Sequence, residues 1–452
     1  MLPITLLENE KWVSQDLPPQ AIEDFKKWLK NLGWRDKQLI DYLKKNNWLD
    51  ISQDPGGGLL RISSKGYVGS ADFSEVQIRV IPKIYKKDDM AALARLTSVI
   101  DYADGVPLKN IIENHDIYVN YAEEPTLMEH YVKKLTSEID KLLRRGLLKS
   151  YVMHTEDTKS LRGKILLRKQ MQNDAMRKVQ FSCEYDELEY DNIENRMILQ
   201  TLVACQRSLK NNEIGKELKR KIRKMIQQLS GVVSLVEITK ANRKRVMNSY
   251  TRHNEHYKTA HEMCEYILEH LGISDFYHGA QSHVQSFFVD MSKVFEKFVE
   301  KMFINSHSKH LLDQCPKCKN TDKVKVQSQR REKSWENYTD SDKTMRPDLV
   351  LICDRCGTIR EEIDMKYKDK VSVNDLYQVG FYMHEYGGKL NASLKRAFVI
   401  LPDFVKKSGP YIAKRSEKKV YEKRININYF MDKYLDDDQV ELTKMVVGLS
   451  QE

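Results

Sequence analysis

Apolar residues recur along this chain with two different periods, and the switches between them divide it. Helical spacing comes first: Ile22, Phe25, Trp28 and Leu29 share one face of residues 18–32, and Leu39, Ile40 and Leu43 one face of 36–46. The run Asp54-Pro55-Gly56-Gly57-Gly58 is a strong turn signal. Extended segments follow at 59–63, 67–70 and 76–84, the last alternating at Val76, Ile78 and Val80. Helical spacing returns over 88–104 and, at greater length, over 126–146. From 147 to 191 the pattern is extended again, at 147–153, 163–167 and 179–185. So few large apolar residues lie between these strands that they are expected to project rather than to build a core. A helical region then runs from 192 to about 271, opening with Ile193, Met197, Ile198, Leu202 and Val203 on one face.

Residues 290–303 form the most regular helical pattern in the chain. Met291, Val294, Phe295, Phe298, Val299, Met302 and Phe303 keep the i, i+3, i+4, i+7 spacing. Glu296 falls on the shoulder of that stripe, where a carboxylate either stays at the rim or looks across into a neighbouring site. A short strand is expected at 323–326, then two apolar strands within 345–368 joined by a turn at 353–357. Ser372 and Asp375 offer a capping box for a helix with Leu376, Val379 and Met383 inside, ending at Gly387-Gly388. A buried strand at 396–401 stops at Pro402. The order from 290 to 401 is therefore helix, strand, strand, strand, helix, strand, with a charged, partly helical tail behind it.

The chemistry concentrates in the two strands of 345–368. Side chains two apart on a strand share a face, so Asp364 and Lys366 point the same way, and the turn folds Asp348 back towards them. Two carboxylates and an ammonium at one place suit a hard divalent cation and a phosphate. Mg²⁺ is typically held by one or two carboxylates with phosphate oxygens and waters, and it stabilises both attacking and leaving oxygens in displacement at phosphorus. Acid-x-Lys alone means little: Asp24-Phe25-Lys26, Glu217-Leu218-Lys219 and Glu417-Lys418-Lys419 match it on helical or charged surroundings. Only the 364–366 copy has a partner acid after Pro347 and apolar flanks on both sides.

Cysteine usage adds a second centre. Cys315, Cys318, Cys353 and Cys356 pair as Cys-x-x-Cys twice, which in a chain without a secretory signal reads as a metal site rather than disulfides. A four-cysteine set is closed and tetrahedral, so a structural Zn²⁺ site is expected, with four reduced structural thiols as the alternative. Cys183, Cys205 and Cys264 are scattered and read as plain thiols.

At 452 residues, 41% hydrophobic and 31% charged, the composition is globular and long enough for two or three domains. The formal charge of +10 is gathered in runs: Lys216, Lys219, Arg220, Lys221, Arg223 and Lys224; Lys240, Arg243, Lys244 and Arg245; Lys406, Lys407, Lys414, Arg415, Lys418 and Lys419. Such faces fit phosphate contacts with nucleic acid. No apolar run has the length of a membrane span, and the first ten residues lack a basic leader, so a cytoplasmic protein without a membrane partner is expected. No Gly-x-x-x-x-Gly-Lys-Ser/Thr loop is present, so the chain itself is not expected to bind a nucleoside triphosphate.

The pattern of Pro347-Asp348 with Asp364-Met365-Lys366 resembles the PD-(D/E)xK nuclease superfamily. With Phe288-Val289-Asp290-Met291, Glu296, Leu376-Tyr377-Gln378, Gly66-Tyr67-Val68-Gly69, Ile81-Pro82-Lys83-Ile84, Leu161-Arg162-Gly163 and Asn254-x-x-Tyr257, it is similar to McrC, the nuclease subunit of McrBC-type modification-dependent restriction systems. The resemblance implies an α+β multidomain protein. Its parts would be a mixed α/β region at 1–146, a projecting, partner-binding β-stalk at 147–191, a helical connector at 192–280, and a PD-(D/E)xK endonuclease domain with an inserted zinc ribbon at 281–452. It implies Asp348, Asp364 and the Met365 carbonyl as Mg²⁺ ligands, Lys366 to orient the attacking water, Glu296 as an auxiliary acid and Gln378 beside Lys366. The implied partners are double-stranded DNA and an AAA+ GTPase of the McrB type, met by the stalk. Two other readings stay open: a stand-alone nuclease of repair or mobile elements, and a non-catalytic zinc-containing DNA-binding assembly subunit.

Overall fold

The computed structural model describes residues 2–13, 19–53, 60–73, 75–85, 92–105, 126–270, 285–306, 315, 317–319, 324–328, 332–333, 344–389, 394, 396–403, 411–412 and 418–449. The Asp54–Gly58 turn, the start of the 88–104 helix, and Lys406, Lys407, Lys414 and Arg415 lie outside them. No helix among the described residues is long and apolar enough to cross a membrane.

The chain begins with β1 (Leu2–Leu7) and β2 (Lys11–Val13), followed by α1 (Pro19–Lys30) and α2 (Trp34–Lys45). The strands β3 (Leu49–Gln53), β4 (Leu60–Ser64), β5 (Tyr67–Asp72) and β6 (Val76–Ile81) come next. Strands β2, β4 and β3 make a small sheet; Phe25, Trp28, Leu39 and Leu43 of the helices pack with it and with β1, β5 and β6 into one cluster. The larger sheet has the order β1-β6-β5-β10, where β10 (Gln285–Asp290) arrives from two hundred residues further on. Its pairing with β5 needs Gly69: a Cβ there would lie 1.9 Å from the Phe287 carbonyl oxygen. Nothing in the sequence pattern marked 285–290 as a strand, because its polar ends hide a three-residue apolar run.

A helical layer holds the middle. After α3 (Ala92–Ala103), α4 (Leu127–Arg145) starts at a full capping box: Glu129 N–H donates to Thr126 Oγ1 (3.2 Å) and Thr126 N–H to Glu129 Oε2 (2.7 Å). Gly146 ends it in the left-handed region, as the 126–146 pattern predicts.

Next, β7 (Ser150–Thr158), β8 (Lys164–Ile165), α5 (Leu167–Ala175) and β9 (Phe181–Glu189) form a separate three-stranded sheet, order β7-β9-β8, with its own helix. The sequence pattern missed α5, reading 163–167 as strand; Leu167 instead opens a helix of mostly polar residues with no apolar stripe to betray it. None of the described side chains of 150–189 joins the three hydrophobic clusters of the molecule. The chain then returns through α6 (Ile193–Ser208), α7 (Glu213–Ser230), α8 (Lys240–Met247) and α9 (Lys258–His270). The basic runs of 216–224 and 240–245 lie on the outer faces of α7 and α8, though Lys240 and Arg243 pair with Glu269 and Glu265.

The last unit is a six-stranded mixed sheet between two helical layers. Behind β10, α10 (Met291–Ser306) buries Phe295, Phe298, Val299, Met302 and Phe303. The short strands β11 (Val324–Ser328), β12 (Glu332–Lys333) and β13 (Thr344–Met345) lead to β14 (Leu349–Cys353) and β15 (Ile359–Met365). Then come α11 (Val373–Lys389), β16 (Arg396–Pro402), β17 (Tyr411–Ile412), β18 (Lys419–Ile425), α12 (Ile427–Leu435) and α13 (Gln439–Leu449). The sheet order is β11-β14-β15-β16-β18-β17, antiparallel up to β15 and parallel across β15, β16 and β18. The helix–strand order read from periodicity holds through β16, except that the two-residue strands β12 and β13 come in addition. The tail does not end in helix alone: β18 joins the sheet, its Lys and Arg residues having masked the alternation of Val420, Glu422 and Arg424. Helix α11 also runs past Gly387 and Gly388 to Lys389.

Candidate active site and metal centre

The hairpin of β14 and β15 has a register that decides the chemistry. Cys353 N–H donates to Thr358 O (2.9 Å), and Ile352 sits opposite Ile359, but the next pair is Leu351 with Glu361. Arg360 is thus an extra residue, a β-bulge. Past it, Val350 faces Glu362 and Leu349 faces Ile363; one further step sets Asp348 opposite Asp364. Because a one-residue slip turns every side chain to the other face, the bulge is what puts both acids on one side.

Three groups expected to meet do meet. Lys366 Nζ lies 2.8 Å from Asp364 Oδ1 and 3.6 Å from Asp348 Oδ2. Asp348 Oδ2 accepts the Met365 N–H at 2.8 Å, and Lys366 N–H donates to Ile400 O at 3.0 Å, which pins both strand ends. Asp364 is 1% exposed and its Oδ2 has no hydrogen-bond partner among the described residues. Burial outweighs the nearby Lys366 ammonium and, with the Asp348 charge, raises the Asp364 carboxyl to about 6. Burial opposes the Lys366 ammonium, yet Asp364 and Asp348 keep its pKa above the ordinary lysine value.

Glu296, half-buried on α10, shares this environment: burial first and the Asp348 charge second raise its carboxyl to about 7. Gln378 is not joined to Lys366 by a hydrogen bond among the described residues; its amide donates to Tyr382 Oη (3.3 Å), one turn along α11. The Ser372–Asp375 capping box forms as expected, and Lys368 Nζ reaches both Asp375 oxygens at 2.7 Å, tying the strand end to α11.

One acid at the site escaped the sequence reading. Glu362 stands two residues before Asp364 on the same face, fully buried, with neither carboxylate oxygen hydrogen-bonded among the described residues. Burial, then Asp364 and Asp348, push its pKa far above the carboxylate range. The signal was present as a polar residue inside an apolar strand, with Arg360 and Glu361 directly before it.

The donor set fits a hard cation: two same-face carboxylates, an unpartnered buried oxygen on one of them, and an ammonium to balance the second charge. The acids do not preassemble as a closed cage. Among the described residues, the groups of three or more whose ligand atoms lie mutually within 4.8 Å are the four cysteines and His154 with Glu187 and Glu189. An open pair of carboxylates is what an ion sharing its shell with water and phosphate requires.

The four cysteines converge. Cys315 Sγ lies 3.5 Å from Cys356 Sγ, and Cys318 Sγ 3.6 Å from Cys353 Sγ. A tetrahedron with Zn–S bonds of about 2.3 Å has edges of about 3.8 Å, so the set can hold a metal of that size. The two turns repeat one geometry: Lys319 N–H donates to Cys315 O (2.8 Å) and Gly357 N–H to Cys353 O (2.9 Å), with Lys319 and Gly357 both in the left-handed region. Hydrogen bonds from the Thr358 side chain and backbone lower the Cys356 thiol to about 6.

Comparison with known proteins now bears on these observations. The model of the family described as "McrBC 5-methylcytosine restriction system component" matches residues 62–394. The chain belongs to this family. Its fold is similar to that in a Thermococcus gammatolerans half-complex of McrB AAA+ hexamers with bound McrC, at 19% identity and a TM-score of 0.54, covering 97% of this chain and 100% of that one. A second structure, the T. gammatolerans McrBC complex, aligns at 22% identity and a TM-score of 0.43 over 67% of this chain and 88% of that one. No curated protein matches.

In this McrBC-family chain the upstream motifs hold the separate sheet at its root. Tyr257 Oη donates to Asn195 Oδ1 (3.0 Å) and accepts the Leu148 N–H (2.7 Å). Asn195 Nδ2 donates to Leu148 O (2.9 Å) and Tyr190 O (2.7 Å), so one amide grips the chain where it enters and where it leaves the sheet. Gly163, left-handed and 2.4 Å from the Glu184 oxygen at its hypothetical Cβ, lets the 159–163 turn close on β9. Beyond that root several large apolar side chains stand in solvent: Tyr151 is 75% exposed, Leu167 73%, Met171 72% and Val179 94%, with Met153, Leu161 and Met176 also exposed.

Proposed function

We propose that this chain is the Mg²⁺-dependent endonuclease subunit of a GTPase-driven restriction complex, cleaving phosphodiester bonds in modified DNA through a PD-(D/E)xK site. The observation that carries the reading is the meeting of Lys366 with Asp348 and Asp364 at 3.6 and 2.8 Å on one face of the hairpin. Asp348 and Asp364 would hold the ion, with the Met365 carbonyl as a further oxygen. The bound ion supplies charge stabilisation for the attacking and leaving oxygens. Lys366, held between two acids, orients the water and offsets charge on the phosphoryl oxygens. Glu296 adds an acid from the opposite helix, and the basic faces of α7 and α8 supply phosphate contacts.

The four cysteines are read as a structural Zn²⁺ site fastening the tip of the catalytic hairpin to the segment before β11. The separate sheet is read as a stalk for an AAA+ partner. Its support is the set of exposed apolar side chains that nothing among the described residues covers and the fold shared with a protein found with McrB hexamers.

The test is cleavage of methylated DNA by the chain together with a co-expressed AAA+ GTPase, in Mg²⁺ and GTP. Cutting that disappears in Asp364→Ala supports the reading. Cutting unaffected by that substitution, or none with any partner, removes it. Cutting without a partner or GTP points to a stand-alone nuclease.

A further inference from the structure

The separate sheet of β7, β9 and β8 lacks what usually holds so small a unit together. None of the described side chains of 150–189 joins a hydrophobic cluster, and its single cysteine, Cys183, is free. Units of about forty residues or fewer usually need disulfides, metals or a partner to stay folded. The clamp of Asn195 and Tyr257 fastens this one only at its root. Just beyond the clamp, one face of the sheet gathers three metal-ligating side chains.

His154 stands on β7, and Glu187 and Glu189 stand on β9. His154 opposes Tyr185, Val152 opposes Glu187 and Ser150 opposes Glu189, so the three share a face. One ligand atom from each lies within 4.8 Å of the others, a convergence found elsewhere among the described residues only at the four cysteines. His154 Nε2 is shut off from solvent and lies 3.0 Å from Glu189 Oε1, yet it is too poorly aligned to make a hydrogen bond. The imidazole is held from the side: its ring stacks on Tyr185 (5.6 Å between centroids, 26°), whose hydroxyl donates to Glu156 Oε1 at 2.6 Å. Arg196, the cation whose charge reaches Glu189, is committed to both oxygens of Asp191 at 2.7 and 2.9 Å. An oriented imidazole nitrogen without a hydrogen bond therefore faces two carboxylates that no basic side chain takes up.

We infer that His154, Glu187 and Glu189 bind a Zn²⁺ ion that cross-links β7 to β9. Imidazole nitrogen combined with carboxylate oxygen suits Zn²⁺, whereas Mg²⁺ is held by oxygen. Three protein ligands leave the fourth position to water. The ion would supply the staple that the missing core does not. This site is separate from the cysteines and from the β14–β15 hairpin, and it stands whether or not the chain cuts DNA.

The test is a zinc titration of the full-length protein by calorimetry, with the cysteine site filled beforehand and Mg²⁺ in excess to occupy the carboxylates of β14 and β15. Hydrogen exchange of the amides of 150–158 and 181–189 is followed with and without the added zinc. Wild type should take up one further Zn²⁺ per chain, and those amides should exchange more slowly. Glu187→Gln, at an exposed position, and His154→Phe, which keeps a ring against Tyr185, should each lose the ion and the added protection. Glu187→Gln decides the matter where His154→Phe loosens the sheet by itself. Wild type that binds no further zinc overturns the proposal, and so does Glu187→Gln binding with wild-type affinity. Zinc that binds without slowing exchange in the two strands is an adventitious ion only, which overturns it as well.

Discussion

Strand β7 sends Tyr151 and Met153 into solvent, while β15 sends Glu362 and Asp364 into the interior. Each sheet reverses the ordinary rule of apolar inside and charged outside, and the two reversals have different costs. Exposed apolar surface costs little to the folded chain, because no buried group is left unpaired, but it invites a partner. Buried carboxylates are expensive within the fold itself and are kept where chemistry uses them. On the proposed reading, the β7-β9-β8 sheet offers surface to another molecule and the β14–β15 hairpin offers buried carboxylates to a cation.

The widest break between the two regions is in activity. Asp364→Asn removes the proposed ligand and a buried acid together: cleavage should fall by about 10³-fold, while the unfolding midpoint stays level or rises. A fall in stability matching the loss of rate would mean that Asp364 is a structural residue. On the stalk the opposite split is expected. Leu167→Glu with Met171→Glu should cut partner-stimulated cleavage by roughly 100-fold, as loss of a docking anchor does. Stability should stay within about 0.5 kcal/mol, since both side chains are exposed. Partner-dependent cleavage at the wild-type rate would show that this face is not where the partner binds.

The root of the stalk joins the two behaviours and tests the middle of the range. Tyr257→Phe leaves the Leu148 N–H and the Asn195 Oδ1 without their buried partner, which costs about 1–3 kcal/mol. Urea unfolding measures that loss directly. Because Asn195 still grips Leu148 and Tyr190, the stalk should stay folded and cation binding at the catalytic sheet unchanged.

Much of the catalytic sheet was legible because alternation and acid spacing coincide in it. Asp348, Asp364 and Lys366 could be brought together on paper from a turn and a period of two. What could not be read was the reason the register works. The extra residue Arg360 compensates the offset imposed by the Cys353–Thr358 turn, and bulges carry no mark in a single sequence. Glu362 was hidden by its charged neighbours, since Glu361 pairs with Arg396 while Glu362 pairs with nothing described. Helix α5 and strand β18 were missed for one shared reason. Both are rich in polar and charged residues, and periodicity is only visible where apolar residues supply it.

The smallest effect, and the one that ties the amino-terminal sheet to the site, involves Glu8. This residue follows β1 and is buried. Its Oε1 accepts the Lys83 N–H (3.0 Å) and the hydroxyl of Tyr367, the residue next to Lys366. Lys83 Nζ in turn pairs with Asp369. Burial raises the Glu8 carboxyl to about 7, with the Tyr367 and Lys83 hydrogen bonds opposing. The folded pKa lies above the unfolded one, so between them the native chain holds a proton that the unfolded chain has released, and stability falls as pH rises through that window. From pH 6 to pH 7 the loss is about 1 kcal/mol. Glu8→Gln keeps both acceptor contacts and cannot ionise, so it should be more stable than wild type at pH 7 and should lose this part of the slope. Glu296 and Asp364 titrate in the same direction in both proteins and drop out of the comparison. Parallel pH profiles for the two would mean that Glu8 is already ionised in the folded chain and that its contact with Tyr367 is an ordinary charged hydrogen bond.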